Sequence, residues 1–234
     1  MSLNYKDIKN WDEEKEDELF KYINRGITGW MQGLGHKQIA RWMKFPKVCR
    51  QLELGIGQGH HLQQRAVTSN EYFGLDISLH NLQTTKCFFP ALNLVTADVH
   101  HLAFTDESFD RIIAIYLLEH LVNLDKAMRE IERVLIPNGD LLVAIPSEGG
   151  WLYKLGRQLT TKRYMEKKFA MDYDAAIKSN HINDCPHTIE KIGEYFAIMK
   201  MAFLPFNFLH SHHFNAFICI WAKKQGPIFG GKYE

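Results

Sequence analysis

An acidic residue followed by regularly spaced glycines is the first feature of this chain that could bind a ligand. In the stretch QLELGIGQGH, a short apolar run passes through Glu53 into Gly55, Gly57 and Gly59. Because glycine has no Cβ, the main chain can turn sharply there, and the N–H groups of a following helix can meet a ligand's polar end. A dinucleotide-binding fingerprint would place glycine or alanine where this chain has His60, so the spacing argues against NAD. A tight turn without a ligand is the alternative.

The elements that must position these residues follow from an alternation of apolar runs and helical patterns. Nearly continuous apolar runs are typical of strands covered on both faces, which predicts a parallel sheet. Residues 123–136 have apolar side chains at helical spacing, with Asn123 as a predicted cap and residues 137–139 as a predicted stop. The predicted strands cover residues 50–54, 71–75, 92–97, 111–116 and 140–145.

The two ends of the chain complete this pattern. Residues 12–45 have a helical pattern that precedes the first strand. Two later apolar runs, 197–204 and 214–222, follow a helix predicted to begin at Thr188. Because they are close in sequence, we expect them to form an antiparallel pair at one edge of the sheet.

Several segments resemble, in order, the motifs of class I S-adenosylmethionine-dependent methyltransferases. Residues 53–59 resemble the first motif, and FGLDIS places Asp76 at the end of the second strand. TADVHHLAFTDESFD, which contains Asp98, is close to a recurrent phrase of the family. RIIAIYLLEHL and MREIERVLIPNGDLLVAIP match the fourth strand, the following helix and the fifth strand of the small-molecule group often called type 11. The resemblance covers residues 53–146.

The resemblance implies S-adenosyl-L-methionine as the cofactor and S-adenosyl-L-homocysteine as the product. It places Glu53 and the three glycines around the cofactor. It also assigns the ribose hydroxyls to Asp76, whose two carboxylate oxygens suit a vicinal diol. A capping role for Asp76, or a buried cation as the partner of Glu53, is the alternative for these carboxylates.

Further positions follow from the same resemblance. The adenine ring is assigned to Ile77, to Asp98, which would accept from its amino group, and to the backbone of Val99. Ile115 and Tyr116 stand where family members pass the methionine end of the cofactor. Asp98 could instead cap a turn, Ile77 could be a core residue and Tyr116 could serve packing.

Methyl transfer from a sulfonium needs an aligned acceptor and exclusion of water, and it needs no covalent enzyme intermediate. A hydroxyl acceptor would also need a general base. The candidate bases are His120, His181 and His187, with structural or solvated-loop roles as alternatives. A cluster of histidines at residues 210–213 has no accompanying carboxylate or cysteine, so no metal site is predicted.

Composition limits the remaining classes of function. The balance of 28 basic and 27 acidic side chains gives no overall field for nucleic acid or an anionic membrane. No apolar run approaches the length of a membrane span, and no signal-peptide pattern is present, which predicts a cytoplasmic protein. The four cysteines are far apart, so reduced thiols are expected. None of these features predicts an oligomeric state.

The predicted fold is α/β, a Rossmann-like doubly wound sheet of seven mostly parallel strands with an antiparallel edge pair and an N-terminal helical cap. One methyltransferase domain would occupy residues 1–234. Its predicted parts are the cap at 1–45, the cofactor-binding core at 46–146, a substrate-facing insertion at 147–187, and a C-terminal helix with edge strands at 188–234.

The predicted activity is methyl transfer from S-adenosylmethionine to a small-molecule acceptor by direct in-line displacement. Segment 151–169 is rich in basic and aromatic residues, which leaves an RNA or protein methyltransferase as an alternative, although nucleic acid is the less favoured partner. A solvated basic helix face would explain the same residues. A binding protein that regulates without catalysis is another alternative, and a nicotinamide dehydrogenase is disfavoured by His60.

Overall fold

Seven strands and nine α-helices follow one another along the residues that the structure describes. The computed structural model describes residues 13–44, 50–63, 71–170 and 172–225. The strands are β1 (Gln51–Leu54), β2 (Tyr72–Asp76), β3 (Asn93–Thr96), β4 (Phe109–Ile115), β5 (Leu135–Pro146), β6 (Phe196–Leu204) and β7 (Phe217–Lys224). The helices are α1 (Glu13–Ile23), α2 (Gly26–Trp42), α3 (His60–Gln63), α4 (Leu79–Phe88), α5 (Leu124–Val134), α6 (Trp151–Arg157), α7 (Arg163–Phe169), α8 (Tyr173–Asn180) and α9 (Cys185–Tyr195). A π-helical segment, Gln158–Lys162, joins α6 to α7, and 3-10 turns lie at Leu118–His120 and His212–Phe214.

The seven strands form one sheet in the order β3-β2-β1-β4-β5-β7-β6. The first five are parallel, and β7 runs antiparallel to both β5 and β6. This arrangement confirms the predicted mostly parallel sheet with an antiparallel edge pair. The order of addition reverses between β1 and β4, and ligands of open α/β sheets bind at the carboxyl ends of the strands beside such a reversal.

Helix α5 shows why the sequence folds as predicted in the middle of the chain. Its apolar positions are fully or almost fully buried against the sheet, and the Asn123 side chain accepts from the Lys126 backbone N–H at 2.9 Å. The predicted stop at residues 137–139 is wrong, because β5 begins directly after the helix at Leu135, which pairs with Phe109. Tertiary pairing with β4 overrides the turn signal there, and Asn138 takes a positive φ of 62°.

The C-terminal elements are also shifted from their predicted bounds. Helix α9 begins at Cys185, three residues before the predicted start, because Asp184 caps it by accepting from the His187 N–H at 2.9 Å. The Thr188 hydroxyl donates to the Asp184 carbonyl oxygen within this first turn. Strand β7 begins at Phe217 instead of residue 214, since Phe214 belongs to a 3-10 turn.

The N-terminal helical pattern is two helices instead of one. Between α1 and α2 the chain turns at Gly26, where φ is +57°, a backbone conformation that glycine adopts without strain. Residues 12 and 45 of the predicted helical segment lie outside the described residues. Side chains from α1 and α2 face the carboxyl ends of the strands.

Three of the four cysteines lie in the described ranges, and Cys87, Cys185 and Cys219 are free thiols. No helix in those ranges combines the length and the apolar character that crossing a bilayer requires.

A buried ion pair joins neighbouring strands on the side of the sheet opposite to the carboxyl ends of the parallel strands. The Arg111 guanidinium donates to Asp140 Oδ2 at 3.0 Å and to the Met43 carbonyl oxygen at 3.0 Å, and Arg111 is only 1% exposed. The other oxygen of Asp140 accepts from Trp221 Nε1 and Lys223 Nζ, both at 2.8 Å. This carboxylate therefore links β4, β5 and β7.

We expect Asp140→Ala to lower the free energy of unfolding by about 3–5 kcal/mol, because the change leaves the buried Arg111 charge without its carboxylate. Urea unfolding measures the loss. Asp125→Ala is the matched control, since Asp125 pairs with Lys191 at the surface and its removal should have no comparable effect. Equal losses in the two variants would contradict a special role for the buried pair.

Candidate functional site

A large cavity lies at the carboxyl ends of β1, β2 and β4, where the strand order reverses. Its volume is about 1120 Å³. Pockets for a single drug-sized ligand have about 300–1,000 Å³, so this cavity has room for more than one bound molecule. Its wall comes from the strand ends, from α1 and α2, and from residues between β5 and α9.

The glycine turn after β1 presents bare backbone to this cavity. Gly55, Gly57 and Gly59 all have positive φ values. A Cβ added to Gly57 would meet only the Phe20 ring, at 4.0 Å, so the position is open toward the cavity. A Cβ on Gly59 would instead stand 3.2 Å from the Thr85 methyl, and Gly59 is not part of the cavity wall. Gly59 therefore serves the packing of α4, whereas Gly57 gives a ligand access to the main chain.

Asp76 holds this turn from the end of β2. One carboxylate oxygen accepts from the Gly57 N–H at 2.8 Å, and the other accepts from the Ser78 N–H at 2.8 Å. Burial raises the pKa of Asp76, while these backbone hydrogen bonds oppose the shift. The neighbouring Ile77 lines the cavity and is half exposed. The carboxylate thus fixes the loop geometry and keeps lone pairs on the cavity side.

Glu53 is a buried carboxyl group in the cavity wall. It is 3% exposed, and Tyr72 Oη donates to its Oε2 at 2.6 Å. Burial raises the pKa of Glu53 to about 8, although the Tyr72 hydrogen bond lowers it. At neutral pH the group is therefore mostly protonated, and a cation placed beside it would favour its ionisation.

Asp98 and Val99 form another part of the wall, after β3. Asp98 Oδ1 accepts from the His100 N–H at 3.0 Å and lies 2.6 Å from His100 Nδ1. Burial raises the pKa of Asp98, but the bonds from His100 outweigh it, so the pKa is lowered overall. Val99 is buried, and His100 is buried in the wall with no hydrogen-bond partner for Nε2 among the described residues.

Ile115 ends β4 and Tyr116 follows it, and both residues line the cavity. Tyr116 has a φ of 54°, which is unusual for a bulky residue, and its hydroxyl donates to the Gln32 carbonyl oxygen at 2.9 Å. Burial raises its pKa well above the usual range. A Cβ on Gly35 would stand 2.2 Å from this hydroxyl oxygen, so glycine is required there. The hydrogen bond from Tyr116 therefore holds α2 against the cavity.

A cluster of ionisable side chains lines the cavity beyond Tyr116, and we call it the polar wall. Arg157 Nη1 donates to Glu148 Oε1 at 2.5 Å. His181 Nδ1 lies 2.6 Å from the same oxygen without hydrogen-bond geometry, and its ring packs on His120 with centroids 4.7 Å apart. Glu119 is 3% exposed, and its Oε1 lies 3.8 Å from His120 Nε2. The polar wall consists of Glu119, His120, Arg157 and His181, which line the cavity, and of Glu148, which binds Arg157 but is not itself part of the cavity lining.

The protonation states of the polar wall follow from burial. Burial raises the pKa of Glu119 to about 8, and nearby Glu148 adds to the shift. Burial and the adjacent His181 lower the pKa of His120 to about 3, so its ring is neutral at neutral pH. His120 Nδ1 lies 3.0 Å from the Asn180 carbonyl oxygen, which can only accept. The proton is therefore assigned to Nδ1, and Nε2 is the basic nitrogen.

Two predicted residues lie elsewhere than the cavity wall. His187 is exposed in the first turn of α9 and does not line the cavity. Gly59 packs on α4, as described above. Every other predicted residue lines the cavity: Glu53, Gly55, Gly57, Asp76, Ile77, Asp98, Val99, Ile115, Tyr116, His120 and His181.

The sequence analysis missed three candidate functional residues. Glu119 is a carboxyl group inside the otherwise apolar run LLEHL, which was a usable signal. Arg157 belongs to the basic segment but turns inward, and Glu148 follows β5 without any distinctive pattern. Only the tertiary structure brings them together, because they come from the turn after β4, the segment after β5, and α6.

The basic segment itself is largely neutralised in the fold. Lys162 pairs with Asp174, and Lys168 pairs with Glu18. Arg157 lies against Glu148 in the polar wall. Half of the six basic residues at positions 151–169 thus have carboxylate partners.

Among the described residues, no group of three or more histidine, cysteine, aspartate and glutamate side chains could hold a metal ion. The histidine cluster at residues 210–213 lies in the loop between β6 and β7.

Two solved structures share this architecture and define its class. A S-adenosylmethionine-dependent methyltransferase from Thermotoga maritima, described as a possible histamine N-methyltransferase, superimposes with a TM-score of 0.64 and 17% identity over 91% of this chain and 98% of that one. The N-methyltransferase NodS from Bradyrhizobium japonicum, in complex with S-adenosyl-L-homocysteine, gives a TM-score of 0.62 and 12% identity over 91% of this chain and 99% of that one. At these identities the likeness shows the fold, which is that of class I methyltransferases.

Sequence similarity identifies the family. Residues 52–143 match the family described as a methyltransferase domain. Sterol 4-C-methyltransferase from Caenorhabditis elegans is 31% identical over 114 residues, which cover 46% of this chain and 34% of that protein. The chain spans about a third of the length of the first curated relatives it matches. The chain contains a class I S-adenosylmethionine-dependent methyltransferase domain, which confirms the predicted family, and S-adenosylmethionine is the cofactor of this class.

We expect Glu53→Gln to stabilise the protein more at pH 8 than at pH 5.5, by about 3 kcal/mol in free energy of unfolding. The pKa of Glu53 is raised to about 8 in the fold from a usual value of 4.5, so the native protein loses stability as pH rises through this interval. The variant removes that loss, and urea unfolding at the two pH values measures it. An equal effect at both pH values would mean that Glu53 is already ionised at pH 5.5.

Proposed function

We propose that this protein transfers the methyl group of S-adenosylmethionine to a small-molecule acceptor by direct in-line displacement. The observation that carries the proposal is one cavity lined by the open Gly57 backbone, the carboxyl groups of Glu53, Asp76 and Asp98, and the polar wall. When bound, the cofactor supplies an electrophilic methyl carbon on a sulfonium. The protein's task is to bind, align and exclude water.

The residues after β1, β2 and β3 fit the cofactor by the chemistry of their groups. Gly57 leaves room for a ligand against the main chain, and Asp76 offers acceptor oxygens for the ribose hydroxyls. Glu53 is a buried carboxyl group that a cationic amino group would ionise. Asp98 is an ionised acceptor for the adenine amino group. These residues would hold the cofactor without taking part in bond making.

The polar wall supports a small acceptor. It lies in the cavity lining, next to side chains of α6 and α8 that line the same cavity. Glu119 Oε2 is buried there with no hydrogen-bond partner among the described residues, so it is available to a polar group of the acceptor. The names of the similar proteins, which include a sterol methyltransferase and a possible histamine methyltransferase, support the same class of acceptor.

His120 is the candidate base that the geometry favours. Its Nδ1 proton is directed at the Asn180 carbonyl oxygen, which leaves Nε2 as the basic atom in the cavity wall. The His181 ring packs on the His120 ring, and Glu119 Oε1 lies 3.8 Å from Nε2, beyond hydrogen-bond distance. With a pKa of about 3 the neutral imidazole is a weak base, so it would accept the proton of a hydroxyl acceptor late, when methyl transfer has made that oxygen strongly acidic.

Calorimetric titration with S-adenosylmethionine and S-adenosylhomocysteine tests the cofactor assignment, with NAD as the control ligand. We expect both sulfur compounds to bind and NAD to give no heat. Gly57→Val should abolish binding because its side chain would occupy the open backbone position.

Gly26→Val is the matched control for that variant. Gly26 has nearly the same positive φ, +57° against +54°, with nothing within 4 Å of an added Cβ, and it does not line the cavity. Both variants carry the same backbone strain, so only a loss confined to Gly57→Val reports on the ligand. Normal cofactor binding by a folded Gly57→Val protein would contradict the assignment of Gly57 to the cofactor site. Binding of NAD alone would overturn the proposed function.

His120→Ala should lower kcat by about 10²–10⁴, the range for loss of a general acid or base, with an unchanged cofactor dissociation constant. The measurement uses an acceptor found by screening amines, phenols and carboxylic acids with radiolabelled S-adenosylmethionine. His187→Ala is the control, because His187 is exposed outside the cavity, and its kcat should match that of the unaltered protein. Equal activity of the two variants would exclude His120 as the base.

A further inference from the structure

An apolar surface with basic neighbours lies at the same edge of the sheet as the cavity, and we call it the docking face. Its helical part consists of Trp151, Leu155 and Leu159, all exposed, on α6 and the π-helical segment. Its loop part consists of Phe206, Phe208 and Phe214, between β6 and β7, and Phe208 is 79% exposed. Large apolar side chains grouped in this way mark an interaction site.

The two parts are neighbours in the fold. A Cβ added to Gly150 would stand only 2.4 Å from the His212 carbonyl oxygen, so the start of α6 lies directly against the 3-10 turn that contains Phe214. Strand β6 runs parallel to β5, because both pair antiparallel with β7. The loop after Leu204 therefore emerges at the carboxyl ends of the parallel strands, beside the cavity.

The loop is held rigidly although its apolar side chains face outward. Asn215 is fully buried, and its side chain accepts from the Phe206 N–H at 2.8 Å and donates to the carbonyl oxygens of Leu209 and Ser211 at 2.7 and 3.0 Å. These bonds fix the backbone in a shape that keeps Phe206 and Phe208 out of the core. A preorganised apolar protrusion suits a partner that it enters without rearrangement.

The charged side chains within the two segments of the docking face are all basic, although Asp184 lies beside Gly149 and Asp174 lies near Lys154. Neither residues 149–165 nor residues 205–216 contain an aspartate or a glutamate. Lys154 and Arg163 are exposed there, and neither has a carboxylate within ion-pair distance among the described residues. Exposed tryptophan, leucine and phenylalanine with lysine and arginine, and no acid, are the composition of elements that lie in the interface of an anionic bilayer.

The same helical segment also forms a wall of the cavity. Tyr153, Arg157 and Thr161 line the cavity, while Trp151, Leu155 and Leu159 are exposed to solvent. The two sets alternate at intervals of four residues, as the two faces of one helix do. Whatever covers the docking face is therefore one helix thickness from the polar wall.

We propose that the docking face binds the surface of an anionic lipid bilayer and thereby places this side of the cavity at the lipid–water interface. An acceptor dissolved in the bilayer would then reach the cavity without crossing bulk water. The inference concerns a surface outside the cofactor site, so it stands or falls independently of the proposed function.

Co-sedimentation with vesicles tests the inference on the full chain without any cofactor. The protein should sediment with vesicles of phosphatidylcholine mixed with phosphatidylglycerol, and more weakly with phosphatidylcholine alone. Trp151→Ser should lower the partition coefficient about tenfold, since a large apolar side chain would no longer be buried in lipid. Trp30→Ser is the matched control, because Trp30 is 55% exposed against 61% for Trp151 and lies on α2, outside the docking face.

Charge variants test the electrostatic part in the same assay. Lys154→Gln should weaken binding to the anionic vesicles about fivefold at low ionic strength, and salt should abolish the difference. Lys44→Gln, at the opposite edge of the sheet, should have no effect. All four variants change exposed side chains, and thermal melting confirms that each is folded.

Three results would overturn the inference. The first is absence of the unaltered protein from vesicle pellets of either composition. The second is an equal loss of binding in Trp151→Ser and Trp30→Ser. The third is a lipid-free dimer, seen by light scattering, that Trp151→Ser dissociates, since the docking face would then belong to a second copy of the chain. Titration of Trp151→Ser with S-adenosylmethionine separates these results from a defect in the cofactor site.

Discussion

The reversal of strand order between β1 and β4 is the constraint on which the site depends. Parallel strands must all end at one edge of the sheet, and the reversal sends the connections after β1 and β4 to opposite sides, so a crevice opens between them. The glycine turn follows β1 there, Asp76 ends β2, and Tyr116 follows β4. Residues distant in sequence thus come together because of backbone pairing alone, before any side chain contact is made.

Burial of carboxyl groups gives the cavity its chemical character. Glu53 and Glu119 are nearly inaccessible to solvent, and burial raises the pKa of each to about 8. They lie in different parts of the wall, Glu53 beside the glycine turn and Glu119 beside His120. A buried acid near its pKa is neutral until a cation or a base approaches, so the free cavity avoids unpaired charge while retaining groups that respond to ligands.

Helix α6 connects the cavity with the outer surface of the protein. Its inward side chains, with Arg157 held by Glu148, shape the polar wall, and its outward side chains form half of the docking face. The fixed loop around Asn215 supplies the other half. The residues that would recognise an acceptor and those that would bind a surface therefore lie on opposite faces of α6. We expect a substitution on one face to affect binding at the other.

The sequence by itself determined the mostly parallel sheet with its antiparallel edge pair and, through the family resemblance, the family and its cofactor, because each strand of a parallel sheet is a local apolar run and each motif follows its own strand within a few residues. Element ends were misjudged at Leu135 and Cys185, where pairing with β4 and capping by Asp184 override local turn and helix signals. Only the tertiary structure showed that side chains between residues 119 and 181 come together in the polar wall. It also showed that His187 and Trp151 lie outside the cavity. Those outcomes depend on how helices pack on the sheet, and helix packing is decided by contacts between residues far apart in the chain.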